Sequence, residues 1–339
     1  MEHSNHEAVI VSSHGDGGLM TQQLLQELFM PFFNNDWLAQ ADDAAFLQHR
    51  DEALAFSTDS FVVSPLFFPG GDIGKLAVCG TVNDLVVSGA KPLWLSAAFI
   101  LPEGLSIKRL TRIVRSMAET ARLLELPIVT GDTKVANTGD PENLFINTTG
   151  IGAVHPRTYL NASRLEAGDA IIITGTIADH GAAILAGRLG LDVEELPASD
   201  CAPLCYLLDT LEPFLSRIKM MRDPTRGGVA TTLKEIALAA GLDLVLEETA
   251  LKINPRVQAI AESLGVDPLY LASEGRALII TSQEDAAGVI EALRLHPQGK
   301  ESAIIGSVRP GKGNLCLKTN LGGTRMLQML SGTPLPRIC

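Results

Sequence analysis

The feature that most limits the fold is the order of strand and helix signals, which runs twice through the chain around one polar break. The break lies at residues 155–168, HPRTYLNASRLEAG, and carries Pro156 and Gly168. Before it, Leu54–Thr58 and Phe61–Phe68 read as strands, rich in aromatic and β-branched residues. Ile73–Ser88 reads as a helix and Trp94–Leu101 as a strand. Residues 106–125 give the clearest helix: Ile107, Leu110, Ile113, Val114, Met117, Ala121 and Leu124 recur at the helical period. Strands follow at Leu126–Thr130 and Leu144–Val154. After the break come strand Ala170–Thr174, helices near 179–189, 201–218 and 227–240, and strand Leu242–Leu246. A helix at 255–264, a strand at 276–281, a helix at 284–294 and a strand at 302–308 complete the set. This order lacks the strict βαβ rhythm of a doubly wound sheet, so it predicts two α+β domains. A chain of 339 residues has room for both, since single cores stop growing near ~250–300 residues.

Composition excludes several classes. Hydrophobic residues are 46% and charged residues 19%, enough apolar material for a core. The net charge of −12 argues against nucleic acid or an anionic membrane as main partner, because both reward clusters of Lys and Arg. No apolar run reaches the ~18 residues of a membrane span. The first residues, MEHSNHEAVI, lack the basic and apolar regions of a secretion signal, which predicts a cytoplasmic protein. Five cysteines, at 79, 201, 205, 316 and 339, form no disulfide framework in a chain this long. Cys201 and Cys205 stand one helical turn apart within the expected 201–218 helix. Further ligands for a tetrahedral metal are missing nearby, so that pair reads as structural. Cys79 and Cys316 read as core. Cys339 alone has no packing explanation.

Five segments carry acidic residues beside small ones: Asp42-Asp43, Asp59, Asp84, Asp132 and Asp223. Singly, each reads as a turn former or helix cap. Together they point to carboxylates converging on a cation or on phosphate-bound Mg²⁺, because like charges repel unless neutralised. Three glycine-bearing loops precede helices and have backbone N–H groups to offer an anion. They are His14-Gly15-Asp16-Gly17-Gly18, Gly70-Gly71-Asp72-Ile73-Gly74-Lys75 and Arg226-Gly227-Gly228. Each alone also reads as an ordinary tight turn, and none is a Walker A sequence.

The last nine residues, SGTPLPRIC, contain two prolines that prevent a helix from continuing. Extended, they reach roughly 30 Å. This predicts a flexible tail, residues 331–339, ending in an exposed thiol. Arg337 favours the thiolate of Cys339 and the terminal carboxylate disfavours it, each by about 1 kcal/mol in water.

Taken together, the segments resemble the AIR-synthetase-related (PurM-like) ATPases and, within them, the HypE family of hydrogenase maturation factors. The residues carrying the resemblance are HGDGG at 14–18, DDAA at 42–45, STDSF at 57–61 and PLFFPGGDIGKLAVCGTVNDLVVSGA at 65–90. MAETAR at 117–122, IVTGDTKV at 128–135, LFINTTGIG at 144–152 and DHGAAIL at 179–185 continue it. RDPTRGG at 222–228, SEGR at 273–276 and PLPRIC at 334–339 complete it.

The resemblance implies an N-terminal domain, 1–155, that dimerises through its sheet. It implies a C-terminal α/β domain, 165–330, with ATP in the cleft between the two. It further implies an ATP-driven carbamoyl dehydratase: a HypF-type carbamoyltransferase loads Cys339, dehydration gives a thiocyanate, and a HypC–HypD complex receives the cyanide. By the same resemblance, Asp43, Asp59, Asp84 and Asp223 are candidate Mg²⁺ ligands. His14, Gly15, Gly17, Gly18, Lys75, Asp132, Arg226, Gly227 and Gly228 are candidate nucleotide contacts. Lys134 and Glu274 are candidate catalytic groups beside Cys339, Glu274 as proton acceptor and Lys134 as its helper or a stabiliser of the oxygen. His180, at a helix start, reads at least as readily as a cap or core histidine as it does as a nucleotide contact. Asp16 departs from the family pattern by adding a negative charge to the first glycine loop, which sets that loop's phosphate contact in question.

Two rivals stand beside this reading. A PurM-like kinase for a small molecule would turn over ATP without the tail and would carry a reactive group near residues 1–20, where no cysteine occurs. A non-catalytic scaffold would use the tail only for docking.

Overall fold

Alternating burial along the strands decides where the first sheet faces. The structure is a computed structural model and describes residues 18–24, 26–27, 45–49, 52–137, 139–140, 143–191 and 197–330. In β2 (Glu52–Phe61), Ala55, Ser57 and Phe61 point inward and are buried, whereas Phe56, Thr58 and Ser60 are exposed. With β1 (Ala45–His49), β5 (Ala90–Pro102), β6 (Ile128–Ala136) and β7 (Phe145–Val154), it forms a five-stranded sheet ordered β1-β2-β7-β5-β6. Only β5 and β6 run parallel.

Helices α2 (Ile73–Val87) and α3 (Ile107–Leu123) cover the inner face. Every residue of α2 except Lys75 and Asp84 is buried, as expected of a helix that is apolar all round. Helix α3 buries Ile113, Met117, Thr120 and Ala121 and turns Lys108, Arg112 and Arg115 to solvent. Gly74 lets the two helices approach: a Cβ there would lie 2.4 Å from the carbonyl oxygen of Ile113. The outer face of the sheet has no helix on it among the described residues, and Trp94 and Ile100 are each 46% exposed there.

The second sheet is ordered β14-β13-β10-β12-β8-β11-β9. Its strands are β8 (Ala170–Ile173), β9 (Met220–Arg222), β10 (Asp243–Glu247), β11 (Leu278–Thr281), β12 (Ala303–Arg309), β13 (Leu315–Lys318) and β14 (Thr324–Leu327). Only β10 and β13 pair parallel. Both faces are apolar. Ile171, Ile173, Leu278 and Ile280 face α6 (Gly228–Ala240) and α7 (Pro255–Leu264) in one cluster. Ile172 and Ile279 face the other way, into a cluster that continues through Leu204, Leu207 and Leu211 to Ile73, Leu76 and Ile113. One apolar core therefore runs through both lobes. Each fully buried Leu or Ile in it contributes roughly 1.5–3 kcal/mol relative to exposure.

Several expected elements differ. The stretch 61–68 is not one strand: β2 ends at Phe61, the chain turns through a cis Ser64–Pro65 bond, and Phe67–Phe68 pairs with Gly71–Asp72 as the short ribbon β3/β4. The expected 201–218 helix is reduced to α5 (Tyr206–Thr210) and a 3₁₀ turn at Glu212–Phe214. Pro203 and Pro213 remove the donors a continuous helix needs. Cys201 therefore lies outside any helix, and its thiol meets that of Cys79 on α2 rather than Cys205. Strand β6 runs on from the expected 126–130 to Ala136, so Asp132 stands mid-strand. Asp84 stands within the last turns of α2 and is neither a turn former nor its cap; the caps are Asp72 and Ser88. Strands β9, β13 and β14 have no counterpart in the expectations from sequence. No helix among the described residues is long and apolar enough to cross a membrane.

Candidate functional site

Where the lobes meet, one turn of the second lobe is held from both sides. Ser273, Glu274 and Gly275 lead into β11, and Glu274 is buried, 3% exposed. From the first lobe, Asn83 on α2 donates through Nδ2 to the carbonyls of Glu274 (3.0 Å) and Ala202 (3.1 Å). Its Oδ1 accepts the N–H of Leu204 at 2.8 Å. From the second lobe, Asp200 accepts the N–H groups of Glu274 (3.2 Å) and Gly275 (3.3 Å), and also that of His180 (3.1 Å) at the start of α4 (Asp179–Arg188). Arg276 lies 3.6 Å from Asp200 and 4.0 Å from Asp179, and donates to the carbonyl of Thr176 at 3.0 Å. The hydroxyl of Thr176 hydrogen-bonds the Asp179 carboxylate.

Negative charge accumulates at this junction. Burial, followed by the charges of Cys201, Asp223, Asp200 and Asp59, pushes Glu274 well above the usual carboxyl range. Burial also raises Asp59, against the opposing pull of Arg226 and the Ser60 N–H. Asp200 is raised by burial in spite of Arg276 and its backbone donors. Asp179 is pushed up to about 6, mainly by burial. The Cys201 thiol is raised well above its usual value, first by its hydrogen bond with Cys79 and then by burial. A carboxyl with raised proton affinity is a stronger base once it is ionised.

The fold sends the sequence-derived residues to different places. Glu274, Asp223 and Asp59 come together at the junction, with Arg226 within electrostatic reach of Asp59. Asp84 ties α2 to β2, accepting the Ser57 hydroxyl at 2.7 Å. Asp132 and Lys134 lie elsewhere, on the outer face of edge strand β6. They pair with Ala98 and Ile100 across the sheet and stand 3.5 Å from each other, both well exposed. The single chain does not bring Lys134 to Glu274. His14, Gly15, Gly17, Asp43 and Cys339 lie outside the described residues.

The glycine loops do more backbone work than their motifs imply. The N-terminus of α2 is capped by Asp72, which accepts from Gly74 N (2.8 Å) and Lys75 N (3.2 Å), while Lys75 Nζ donates to Gly70 O at 2.9 Å. Gly227 and Gly228 both have positive φ, +76° and +62°, and Gly228 lies tight against the carbonyls of Leu269 and Leu271. At Gly18 a Cβ would lie 2.4 Å from the carbonyl oxygen of Leu330. His180 is a core histidine: it is fully buried, 2.8 Å from the Ser199 hydroxyl through Nδ1, and edge-on to Phe68.

No group of three or more His, Cys, Asp or Glu side chains among the described residues is arranged to hold a metal ion by itself. The donor chemistry nonetheless fits Mg²⁺. Asp59 and Asp223 supply hard oxygens in a region where negative charges raise one another, and Mg²⁺ is ordinarily held by one or two carboxylates, water and substrate phosphates.

Sequence reasoning missed Asn83, Asp200, Arg276 and Asp179 as members of the site. Asn83 stands beside the noted Asp84, but an amide in a buried helix has no periodic signature. Asp200 is 74 residues from the turn it holds, and nothing in its spacing announces that contact.

Known proteins share this architecture. The family described as AIR synthase related protein, N-terminal domain, matches residues 41–154, and its C-terminal domain family matches 166–315. Carbamoyl dehydratase HypE of Cupriavidus necator is 46% identical over 328 residues, covering 96% of this chain and 93% of the relative. A solved HypE–HypF complex superposes with a TM-score of 0.85 at 41% identity, over 91% of this chain and 99% of that one. HypE solved in complex with ATP gives 0.81 at 43% identity, over 98% and 100%. The chain is a member of the AIR synthase related proteins and, within them, of the HypE carbamoyl dehydratase family.

Proposed function

We propose that this protein is a cytoplasmic, homodimeric carbamoyl dehydratase that uses ATP to convert an S-carbamoyl group on Cys339 into a thiocyanate for hydrogenase maturation. The observation that carries this reading is the end-to-end similarity to a carbamoyl dehydratase HypE, at 46% identity. The HypE structure solved with ATP supports ATP as co-substrate, and the HypE–HypF complex supports a HypF-type carbamoyltransferase as the source of the carbamoyl group. A HypC–HypD complex is the proposed acceptor of the product.

The chemistry follows from the group itself. In Cys–S–C(=O)–NH₂ the oxygen leaves poorly. Transfer of the γ-phosphoryl group to that oxygen makes it a phosphate leaving group. Loss of two N–H protons and of phosphate then gives Cys–S–C≡N, ADP and inorganic phosphate. Mg²⁺, when bound, offsets the triphosphate charge, and Asp59 and Asp223 would hold it, with Asp84 and Asp43 as further candidates. Glu274 takes the nitrogen proton: its raised proton affinity and exclusion from water suit a base that acts once inside a closed junction. Arg226 is the proposed cation for phosphate oxygens, beside Asp59.

Asp132 and Lys134 fit this scheme through the dimer. They share the exposed outer face of the first sheet with Phe56, Trp94 and Ile100, and a second copy docked face to face would cover that surface. Lys134 then works at the junction of two copies, as the partner of Glu274 or as a stabiliser of the oxygen.

The test is Cys339→Ala. The variant is expected to bind ATP and to yield no thiocyanate with the carbamoylating partner; full thiocyanate formation by it would remove the tail from the mechanism.

A further inference from the structure

The turn that carries Glu274 leaves almost none of its backbone uncommitted. Ser273 N donates to Pro224 O at 3.0 Å, and Ser273 Oγ accepts Ala178 N at 3.0 Å, where Ala178 itself holds a left-handed φ of +71°. Glu274 O is taken by Asn83, and the two N–H groups of Glu274 and Gly275 are taken by one carboxylate. That carboxylate, Asp200, is 1% exposed at its side chain. A polar group buried so deeply needs hydrogen-bond partners, and here three backbone N–H groups and Arg276 supply them. The backbones also touch: a Cβ on Gly275 would lie 2.0 Å from the carbonyl oxygen of Asp200, which leaves room only for glycine.

We propose that Asp200 and Asn83 are positioning residues of the dehydration step, gripping the Glu274 turn by its N–H groups and its carbonyl so that the carboxyl is fixed relative to the bound nucleotide. Asn83 comes from α2 and Asp200 from the second lobe, so the base is placed only when the lobes are joined. The proposal rests on Glu274 being the proton acceptor. A base displaced by an ångström loses on the order of a hundredfold in rate. The activated intermediate, with phosphate on the carbamoyl oxygen, then has time to meet water. Water cleaves the P–O bond, phosphate leaves, and the carbamoyl group is regenerated. ATP is spent and no nitrile forms.

The experiment measures ADP released and thiocyanate formed by the full-length S-carbamoylated protein with ATP. Wild type is expected to give one ADP per thiocyanate. Asp200→Asn keeps the size but turns an amide toward backbone donors, and is expected to raise ADP per thiocyanate by roughly tenfold or more, since rate losses of that order or greater follow misplacement. A variant whose only fault is a smaller folded fraction loses both products together and keeps the wild-type ratio, so that result overturns the proposal. Asn83→Ser releases the turn from the other side and carries the same expectation, which keeps the test open if Asp200→Asn does not fold. Glu274→Gln separates the two levels. A raised ratio there, with unchanged ratios in the other two, sinks the positioning role and leaves the base standing. An unchanged ratio in Glu274→Gln takes both down.

Discussion

The Tyr270 hydroxyl donates to the carbonyl oxygen of Gln328 at 2.8 Å. Two residues on, the N–H of Leu19 donates to Leu330 O at 3.0 Å, against a Gly18 that has no room for a side chain. Residues 328–330 are thus fastened to the second lobe and to the start of the described chain. Tyr270→Phe removes one partly exposed hydrogen bond, worth about 1 kcal/mol. Hydrogen exchange at the amides of residues 326–330 is expected to speed up several-fold, with global stability lowered by no more than about 1 kcal/mol. Unchanged exchange there would show that this segment is held by other contacts.

Two glycines with almost the same backbone angle should respond differently to alanine. Gly265 has φ +65°, and a Cβ added there would meet nothing within 4 Å, so Gly265→Ala costs only the left-handed strain, about 1–2 kcal/mol. Gly228 has φ +62°, and its Cβ would stand 2.5 and 2.6 Å from the carbonyl oxygens of Leu269 and Leu271. Urea unfolding is expected to place Gly228→Ala at least about 2 kcal/mol below Gly265→Ala. Equal losses would mean that the 269–271 segment yields freely.

Asp179 links stability to pH. Its folded value of about 6 lies above the unfolded value of about 3.9, so the folded state binds its proton more tightly. Its contribution is fully present below about pH 4 and is lost as pH rises through 6, a change of about 3 kcal/mol at most. Asp179→Asn keeps an acceptor for Thr176 and removes the titration. The difference in unfolding free energy between variant and wild type should grow in the variant's favour from pH 4 to pH 6.5, then level off. A flat difference would mean that Arg276 holds Asp179 ionised throughout.

The proposed dimer face is open to a direct test. Trp94 and Ile100 are exposed on the outer sheet face, so replacing both with Glu removes apolar area without disturbing the core. Sedimentation velocity is expected to show a dimer for wild type and a monomer for Trp94→Glu/Ile100→Glu, with little change in unfolding midpoint. A dimer that survives both changes assembles through another surface.

Much of this architecture was legible because burial is periodic. Helix α3 shows its apolar stripe at 113, 117 and 121, and the apolar runs at 170–173 and 278–281 are strands buried on both faces. The failures have local causes. The 201–218 stretch is apolar enough for a helix, but its prolines and its contacts with Asn83 give it an irregular path. The strand expected at 126–130 has no apolar run beyond Thr130 to announce its continuation, yet pairing with β5 keeps β6 extended to Ala136. Of the candidate site, the sequence singles out Glu274, Asp59, Asp223 and Arg226, which stand beside distinctive neighbours, and the fold brings them near one another. The sequence does not single out Asn83 and Asp200, because their work is to bind backbone groups, and any buried Asn or Asp can do that.

The fate of Cys339 decides the proposed function. Mass spectrometry of the C-terminal peptide after incubation with a carbamoylating partner and ATP reads it directly. The predicted result is a carbamoylated Cys339 that loses the mass of one water when ATP is added, in step with ADP formation. ATP consumption with a Cys339 that never changes mass would contradict the central claim.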